Sequence, residues 1–418
     1  MRIFAGMNND SYVTVTPVVT VPGSKSVSNR LLLLQRTAAP RLRIYNLSDS
    51  DDTRLLQRLL ERVDSSQEGD GIVEMDVRNC GTAFRFLLPY LSYKKGRWRL
   101  VGDERLRQRP IVPLVELLRS WGADIRMPDD GSLPLEICGN PELHPQSSQV
   151  DLSESSQFLS AMLLLLPALK QPVTLRYAPD SASATYIRMT VGVMRSLGLS
   201  LEDSAGEISF DPFPAASPPS QWCVEGDWSA AAFWWAWAAL QPAPFTLRAG
   251  YLSDSGLQGD ADIISILEPW GIRTSFEGDV ALIEKRTVFQ LPSLFRIDGR
   301  NCLDLVPLLA VLCLLSGIPA ELSGVGNLRL KESDRVEALC ANLSEYAYIT
   351  FSDGTLRMTP LQPAGFAGTR FRSFGDHRIV MALNLFSAFS PVAFDTPEVV
   401  SKSYPDYWRQ FEKLRAGQ

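Results

Sequence analysis

The chain has 418 residues, of which 45% are hydrophobic and 21% are charged, and its formal net charge is -6. This length favours two domains over a single core. The negative charge argues against a nucleic-acid-binding surface, but it allows a local basic pocket for small anions. The six cysteines form no CxxC pair and there are only two histidines. We therefore expect free, mostly buried thiols, and neither a disulfide framework nor a metal site.

The first informative stretch is VPGSKSVSNRLLLL, Val21–Leu34. A Pro-Gly turn is followed by Lys25 and Ser26 at the start of a predicted helix, and Arg30 follows Ser26 by one helical turn. Backbone N–H groups, hydroxyls and cations at a helix start are typical of an anion site. The spacing is not that of a Walker A loop, and an ordinary capped helix with an exposed lysine would also fit.

Three further predicted helices begin with uncharged or basic residues. The segments are NCGTAFRFLLPYL, LRQRPIVPLVELL and DLSESSQFLSAMLLLL, which contain Gly81, Arg85, Arg109, Ser155, Ser156 and Gln157. Pro110 is suited to a first helical position, so Arg109 is expected at a helix N-terminus. Four such starts in one chain predict convergence on a ligand with several negative charges.

A helix–glycine–strand pattern recurs along the chain. The glycines are Gly122, Gly198 and Gly271, at intervals of about 75 residues, and a weaker copy follows near residue 345. The pattern predicts several copied α/β units shared between two domains, although helix–glycine–strand is common and chance remains an alternative. The Pro-rich segment Asp211–Trp222 is the best candidate for a domain boundary, with a long surface hairpin as the alternative.

Two later runs are strongly apolar, Trp228–Leu240 and Leu303–Ile318. Both are shorter than the roughly 20 residues that cross a membrane, so we predict buried helices and no membrane contact. The N-terminal sequence MRIFAGMNND has no apolar core of a secretory signal. Together with the cysteine pattern, this predicts a cytoplasmic protein.

The second half of the chain combines cations with carboxylates. NLRLKESDRVEALCANL contains Asn327, Lys331, Glu332 and Arg335, with the two cations at i and i+4. A carboxylate beside two cations stays ionised at rest and can exchange a proton in a closed site; a solvated helix face with ion pairs is the alternative. SFGDHRIVMALNLF and VSKSYPDYWRQF add His377, Arg378 and Lys402, and His377 fits a structural role as well as a catalytic one.

The ordered series GSKSVSNR, NCGTAFR, QRPI, SSQFLSA, LKESDR, GDHR and SKSYPDY resembles the 5-enolpyruvylshikimate-3-phosphate (EPSP) synthase family, from about Val21 to Phe411. The resemblance implies an α/β protein of two domains, each built from three βαβαββ units with helices inside and sheets outside. It places one domain at 1–20 plus 228–418 and the other at 21–227. The active site is then expected in the cleft between them.

The resemblance also implies the reaction. The family transfers the enolpyruvyl group of phosphoenolpyruvate to the 5-hydroxyl of shikimate-3-phosphate through a tetrahedral intermediate and releases phosphate. It implies a monomer with these two small-molecule substrates, without a metal, an organic cofactor or a nucleic-acid partner. Two like-charged substrates need cations and helix N-termini to offset their repulsion. The predicted helix starts and the lysines and arginines of both halves of the sequence supply them.

Site residues are carried over only where this sequence matches the family motifs. The implied catalytic residues are Asp304, Glu332 and Lys25. The implied shikimate-3-phosphate residues are Lys25, Ser26, Arg30, Ser155, Ser156, Gln157, Ser183, Asp304, Asn327 and Lys331. The implied phosphoenolpyruvate residues are Lys25, Gly81, Arg109, Gln157, Arg335, Arg378 and Lys402.

Some positions depart from the family pattern. Phe86 stands where proline is usual, Arg78 where glycine is usual and Leu328 where tryptophan is common, and Ala184–Thr185 replace a common Lys-Pro pair. No assigned charge or hydroxyl is lost. The shape of the Gly81 loop, and with it the response to glyphosate, stays open.

Three other functions are weighed against this one. A UDP-N-acetylglucosamine enolpyruvyl transferase shares the fold, but it typically has asparagine after the first lysine, so Ser26 and the Ser155–Gln157 run favour shikimate. An inactive anion-binding relative would have lost the carboxylates, whereas Asp304 and Glu332 are both present. A partner-binding role would rest on the tryptophans between Trp222 and Trp237, which we expect mainly in a core.

Overall fold

The computed structural model describes residues 16–66, 71–179, 184–204, 206–361, 365–366 and 368–416. The strands are β1 Val18–Thr20, β2 Arg43–Tyr45, β3 Ile72–Asp76, β4 Gly96–Val101, β5 Asp124–Arg126, β6 Leu135–Gly139, β7 Ser148–Gln149, β8 Val173–Arg176, β9 Ser200–Ser204, β10 Glu207–Asp211, β11 Gln221–Cys223, β12 Phe245–Gly250, β13 Ile272–Glu277, β14 Val280–Lys285, β15 Phe295–Asp298, β16 Ala320–Ser323, β17 Ala347–Ser352, β18 Thr355–Pro360, β19 Arg370–Phe371 and β20 Ala393–Phe394. The α-helices are α1 Lys25–Thr37, α2 Asp51–Ser65, α3 Gly81–Tyr93, α4 Glu104–Arg107, α5 Val112–Ser120, α6 Gln157–Leu169, α7 Ala184–Ser196, α8 Trp228–Leu240, α9 Ile263–Ile266, α10 Val306–Leu315, α11 Arg335–Leu343, α12 His377–Leu383 and α13 Tyr407–Ala416.

Four of the sheets repeat one βαβαββ connection, in which two parallel strands are followed by an antiparallel hairpin. Their strand orders are β3-β4-β6-β5, β7-β8-β10-β9, β15-β16-β18-β17 and β1-β12-β14-β13. In the last sheet β1 pairs in parallel with β12, so the first strand and the rest of the unit lie far apart in the chain. Two parallel pairs, β11-β2 and β19-β20, complete the described sheets.

The repeated helix–glycine–strand pattern is confirmed. Gly122 precedes β5 with φ of 91°, Gly198 precedes β9 with φ of 83°, and Gly271 precedes β13 with φ of 78°. Only glycine adopts this left-handed conformation without strain, which is why a glycine ends each of these helical segments.

The buried apolar residues form two separate cores. One contains residues from Val27 to Val224, and we call that part of the chain the continuous half. The other contains Val19, Val21 and residues from Trp228 to Leu414, and we call it the split half. The domain limits 1–20 plus 228–418 and 21–227 stay a prediction, and Val21 packs with the split half.

Both apolar runs are buried helices, as predicted. Helix α8 is capped by Asp227, whose Oδ1 accepts from the N–H of Ala230 at 2.9 Å, and Trp234, Trp235 and Trp237 are buried in the split half. Within the described residues, no helix combines the length and apolar character needed to cross a bilayer. The cysteines are unpaired, but Cys138 and Cys223 are exposed, so the prediction of mostly buried thiols is wrong for these two.

The chain passes between the two halves at two adjacent points. Gly23 and Gly226 form an antiparallel bridge, the N–H of Ser24 donates to the carbonyl of Glu225 at 2.8 Å, and the N–H of Asp227 donates to the carbonyl of Pro22 at 2.8 Å. A side chain at position 23 would collide with the backbone of the segment that follows β2. The second crossing thus lies just after the Pro-rich segment that the sequence favoured as a boundary.

Candidate active site

The start of α1 is fixed by both halves at the crossing. Ser24 caps the helix and donates from its hydroxyl to Gln258 Oε1 at 2.8 Å, and the backbone N–H of Lys25 donates to Asp227 Oδ2 at 3.0 Å. The Lys25 ammonium lies 3.1 Å from Asp52 Oδ2. The sequence pattern at Val21–Leu34 therefore does start a helix, and it places Lys25 at the junction of the two halves.

Most of the predicted site residues line one cavity between the halves. Those residues are Lys25, Ser26, Arg30, Arg109, Ser155, Ser156, Gln157, Asp304, Asn327, Lys331 and Glu332. Asn29, Thr82, Arg85, Glu154 and Tyr186 also line it and were not among the predicted residues. Contacts across the cleft include Tyr186 Oη to Asp304 Oδ2 at 2.7 Å and Asn327 Nδ2 to the carbonyl of Ser153 at 3.3 Å.

The continuous half contributes buried arginines to which no carboxylate is hydrogen-bonded within the part of the chain that the structure describes. The guanidinium of Arg30 donates to neutral oxygens, among them Thr190 Oγ1 at 2.8 Å and the carbonyl of Ser26 at 2.9 Å. Burial lowers the pKa of Arg30 to about 10. Arg85 donates to Gln157 Oε1 at 3.0 Å and to the carbonyl of Pro110 at 2.9 Å. Burying positive charge without a counter-ion costs free energy, so this side of the cavity favours the binding of an anion.

Other buried nitrogen atoms lack partners at this cleft. Among the described residues, no group bonds Nε or Nη1 of Arg109 or of Arg378. The N–H groups of a guanidinium fit carboxylates and phosphates. Two arginines on opposite halves therefore offer free donors to an anion.

The split half contributes an ion network around Arg335, whose side chain is only 1% exposed. Its Nη1 donates to Asp304 Oδ1 at 2.7 Å, its Nη2 to Glu332 Oε2 at 3.0 Å and its Nε to Asp376 Oδ2 at 2.8 Å. Helix α11 begins at Arg335, after its cap Asp334. Lys331 therefore lies before the helix, so its i, i+4 spacing from Arg335 does not place the two cations on one helix face. The burial of Arg335 excludes a solvated helix face.

The two carboxylates of the cavity are held ionised by this network. Burial alone would raise the pKa of Glu332, but the positive charges of Arg335, Arg109 and Lys402 outweigh it and hold the pKa well below its ordinary value. Burial likewise opposes ionisation of Asp304, while Lys331, Arg335 and Arg378 keep its pKa well below the usual range. Burial lowers the pKa of Lys331, although Asp304 partly offsets this effect.

Lys25 and His377 end in opposite protonation states. Burial would lower the pKa of Lys25, yet the charges of Asp52 and Glu332 raise it, so the ammonium is retained. Burial and the positive charge of Lys25 lower the pKa of His377 well below its ordinary value, so the imidazole is neutral. Among the described residues, neither ring nitrogen of His377 has a hydrogen-bond partner.

Four predicted residues lie beside the cavity and do not line it. Gly81 lies against the Arg109 guanidinium, because a Cβ at position 81 would come within 2.4 Å of Nη1. Lys402 donates to the carbonyl of Asn79 at 3.1 Å and lines a neighbouring cavity. Arg335 lies behind the two carboxylates and Arg378 is buried at the start of α12. Ser183 lies outside the described residues.

One of two predicted helix starts differs in detail from the prediction. Helix α6 begins at Gln157 after Ser156, as expected. Helix α5 begins at Val112 with Ile111 as its cap, so Pro110 is not its first residue. Arg109 consequently lies in the link between α4 and α5, and its position near Gly81 comes from this link and not from a helix N-terminus.

The described residues contain no group of three or more His, Cys, Asp or Glu side chains arranged to hold a metal ion. The side chains that line the cavity carry carboxylates, ammonium and guanidinium groups, and hydroxyls.

Comparison with known proteins identifies the family. The family model described as EPSP synthase (3-phosphoshikimate 1-carboxyvinyltransferase) matches residues 11–411. The chain belongs to the EPSP synthase family. Its curated relatives include 3-phosphoshikimate 1-carboxyvinyltransferases of Bacteroides fragilis, 33% identical over 96% of both chains, and of Bordetella petrii, 33% identical over 96% of this chain and 94% of the relative.

Solved structures agree with this assignment at the level of the fold. EPSP synthase from Acinetobacter baumannii matches with a TM-score of 0.69 and 22% identity over 96% of this chain and 97% of that one. An enolpyruvyl transferase from Streptomyces tendae matches with a TM-score of 0.69 and 18% identity over 96% and 95%. These matches confirm the predicted two-domain α/β fold class of the EPSP synthase family.

Two of the departures from the EPSP synthase pattern, Phe86 and Leu328, lie in packed positions, whereas Arg78 is exposed and has a φ of 49°. Phe86 is buried, and the guanidinium carbon of Arg30 lies 5.5 Å from the centre of its ring and 5.9 Å from that of Tyr186. Such contacts between a cation and two aromatic faces hold the guanidinium in place. Leu328 is fully buried in the split half, where it supports the turn that carries Asn327.

Proposed function

We propose that this chain is a 3-phosphoshikimate 1-carboxyvinyltransferase that transfers the enolpyruvyl group of phosphoenolpyruvate to the 5-hydroxyl of shikimate-3-phosphate. The observation that carries the proposal is the opposition of two walls in one cavity. Among the described residues, no carboxylate is hydrogen-bonded to Arg30 or Arg109, which face the cleft, while Asp304 and Glu332 face it as an ionised pair. Membership of the EPSP synthase family supports the same reaction.

Shikimate-3-phosphate is placed by hydroxyl and cationic groups. Its phosphate and carboxylate bind to groups at the starts of α1 and α6, where hydroxyls, N–H groups and cations combine. The proposed residues are Lys25, Ser26, Arg30, Ser155, Ser156, Gln157, Ser183, Asn327 and Lys331. Asp304 accepts a hydrogen bond from the hydroxyl that reacts.

Phosphoenolpyruvate binds to guanidinium groups that have unpartnered N–H groups, those of Arg109 and Arg378. Lys25 and Lys402 supply further ammonium charge to the proposed site. Gly81 allows the Arg109 guanidinium to lie against the backbone, and Gln157 and Arg335 complete the proposed set. The carboxylate and phosphate of phosphoenolpyruvate are the anions that this field stabilises.

Proton transfer falls to the carboxylates and Lys25. The 5-hydroxyl oxygen forms a bond to C2 as its proton passes to Asp304, and C3 receives a proton from Glu332. Glu332 obtains that proton when the negative charge of the bound substrates raises its pKa. In the second step Glu332 removes a proton from C3, the bond between C2 and the phosphate oxygen breaks, and Lys25 stabilises the departing phosphate. The cleft excludes water during both steps.

The decisive experiment measures phosphate release from phosphoenolpyruvate with shikimate-3-phosphate, and in parallel with UDP-N-acetylglucosamine. Release only with the shikimate ester supports the proposal. Release only with the nucleotide sugar would assign the chain to the rival transferase reaction. Binding of the ester without release from either acceptor would favour an inactive anion-binding relative.

We further propose that the enzyme acts as a cytoplasmic monomer without a metal. Size-exclusion chromatography with light scattering should give the mass of one chain. Phosphate release should be unchanged after dialysis against a chelator. A dimer mass or loss of activity on chelation would contradict these two parts of the proposal.

A further inference from the structure

Arg105, on the short helix α4 of the continuous half, contacts the backbone segment that carries Lys331 and Glu332 in the split half. Its Nε donates to the carbonyl oxygen of Glu332 at 3.2 Å. Its Nη2 donates to the carbonyl oxygens of Lys331 at 3.2 Å and of Arg329 at 3.3 Å. One guanidinium therefore holds three carbonyl groups across the cleft.

The segment that Arg105 contacts has little support from regular structure. It lies between a 3-10 turn that ends at Leu330 and helix α11, and Lys331 has an extended backbone with φ of -85° and ψ of -163°. Within the described parts of the chain, no backbone N–H donates to the carbonyl of Lys331 or Glu332. Backbone carbonyls in a closed cleft need donors, and here the donor comes from the opposite half.

Glu332 is consequently held by both halves. Arg335 fixes its carboxylate from within the split half at 3.0 Å, and Arg105 fixes its carbonyl group from the continuous half. Arg109 follows α4 closely, and its charge contributes to the low pKa of Glu332. The stretch from Arg105 to Arg109 thus brings both a backbone contact and a positive charge to Glu332 when the halves meet.

We propose that Arg105 is a positioning residue that sets the backbone of Lys331 and Glu332 in the closed cleft. The inference rests on the proposed function, because it assigns Arg105 a part in the proton transfer by Glu332. The guanidinium itself touches neither carboxylate of the acid–base pair. Its contribution is to hold Glu332 at the distance that proton transfer requires.

The test uses the full chain with the substitution Arg105→Met, which keeps the length of the side chain and removes the donors. Arg107→Met is the matched control, because Arg107 is exposed on the same helix and pairs with Glu104 at 3.8 Å. At saturating substrates we expect kcat to fall by about tenfold to hundredfold for Arg105→Met. Arg107→Met should stay within about twofold of the wild type, as is usual for surface substitutions. Arg105→Lys, which can still donate to carbonyls, should recover part of the loss.

Two readouts separate positioning from simple stabilisation of the closed form. A loosened segment moves Glu332 away from Arg335 and Arg109, which raises its pKa. Because Glu332 must hold a proton to protonate C3, the basic limb of the kcat profile should shift to higher pH in Arg105→Met. Combined with Glu332→Gln, Arg105→Met should cause little further loss of kcat, because both changes act on one step. Arg105→Lys serves for both readouts if Arg105→Met lowers the melting temperature too far for assay.

The outcomes that overturn the inference are distinct from those that overturn the proposed function. A normal kcat with only raised KM values, or equal effects of Arg105→Met and Arg107→Met, would refute positioning while leaving the reaction intact. Additive losses with Glu332→Gln would do the same. Absence of phosphate release by the wild-type chain would overturn the reaction itself, and the inference with it.

Discussion

The two walls of the cleft use buried charge in opposite ways. In the continuous half, Arg30 and Arg85 are buried against neutral oxygens, and no carboxylate of the described residues is hydrogen-bonded to either. In the split half, Arg335 is also buried, but it bonds to three carboxylates. The arginines of the continuous half can therefore bind an anionic ligand. The charge of Arg335 in the split half is instead neutralised by carboxylates of the protein.

This difference explains why both walls are needed. Buried cations that lack a counter-ion destabilise the ligand-free protein, because they have lost their hydration. A bound anion supplies the counter-charge, so its binding is favoured. A balanced network instead fixes carboxylates in defined positions and protonation states, as a proton-transfer site requires. One wall is thus suited to binding and the other to chemistry, and substitutions on each should have different kinetic signatures.

The largest expected effect is on the balanced wall. Glu332→Gln removes the proton-transferring oxygen but keeps the size of the side chain, so kcat should fall by about 10² to 10⁴-fold. Binding of shikimate-3-phosphate, measured by calorimetry, should change little. Glu337→Gln, on the exposed face of α11, is the control. Turnover near the wild-type value would remove Glu332 from the proposed mechanism.

Lys25→Met tests the contribution of the ammonium group that lies where the two halves meet. The substitution removes an ammonium group that stays charged in the closed site, so it should weaken phosphoenolpyruvate binding and lower kcat together, with kcat/KM reduced by about 10²-fold. Lys413→Met, on the exposed side of α13, should have no effect. If KM for phosphoenolpyruvate and kcat both remain normal, Lys25 has only its structural contact with Asp52.

Gly81→Ala tests the cationic wall without removing a charge. The added Cβ would come within 2.4 Å of Arg109 Nη1, so the guanidinium must shift. We expect KM for phosphoenolpyruvate to rise by about tenfold, because one charge-assisted contact is misplaced. Gly326→Ala is the control, since nothing lies within 4 Å of that position. Equal kinetics for the two variants would mean that Arg109 tolerates displacement.

The smallest effect concerns stability at acidic pH. His377 is buried as a neutral group with its pKa well below 6.5, so the unfolded chain binds a proton that the folded chain does not as pH falls through 6.5. Acidification from pH 7.5 to 5.5 should therefore lower the free energy of unfolding of the wild type by about 1.4 kcal/mol more than that of His377→Gln. Chemical denaturation at both pH values measures the difference.

His144→Gln is the control for that experiment, because His144 is exposed. It should follow the wild type at both pH values. A wild type and a His377→Gln variant with the same pH dependence would show that His377 can accept a proton in the folded state.

Local sequence patterns predicted the features that local chemistry determines. Ser24 lies at a helix start because its hydroxyl accepts a hydrogen bond from the N–H of Val27 in the first turn. Gly122 and Gly198 follow helices because glycine adopts positive φ without strain. The family motifs then connected these starts to one cleft. The repeat predicted several α/β units shared between two domains, and the resemblance to the family implied the βαβαββ fold class.

The unpredicted features depend on contacts between distant residues. Tyr186 bonds to Asp304, 118 positions away, and Arg105 bonds to Glu332, 227 positions away. No periodicity links such pairs, so the sequence gives no local signal for them. Arg85 is the exception: it follows Gly81 by one helical turn, and that spacing could have added it to the site.

The split half has a consequence for synthesis. Strand β1 is among the first described residues to leave the ribosome, but its partner β12 begins at Phe245. The continuous half has all its core residues once Val224 has emerged. Domains fold as units during translation. The newly made chain can therefore form the core of the continuous half before β12 has been synthesised. Until then, β1 has no strand of its sheet to pair with.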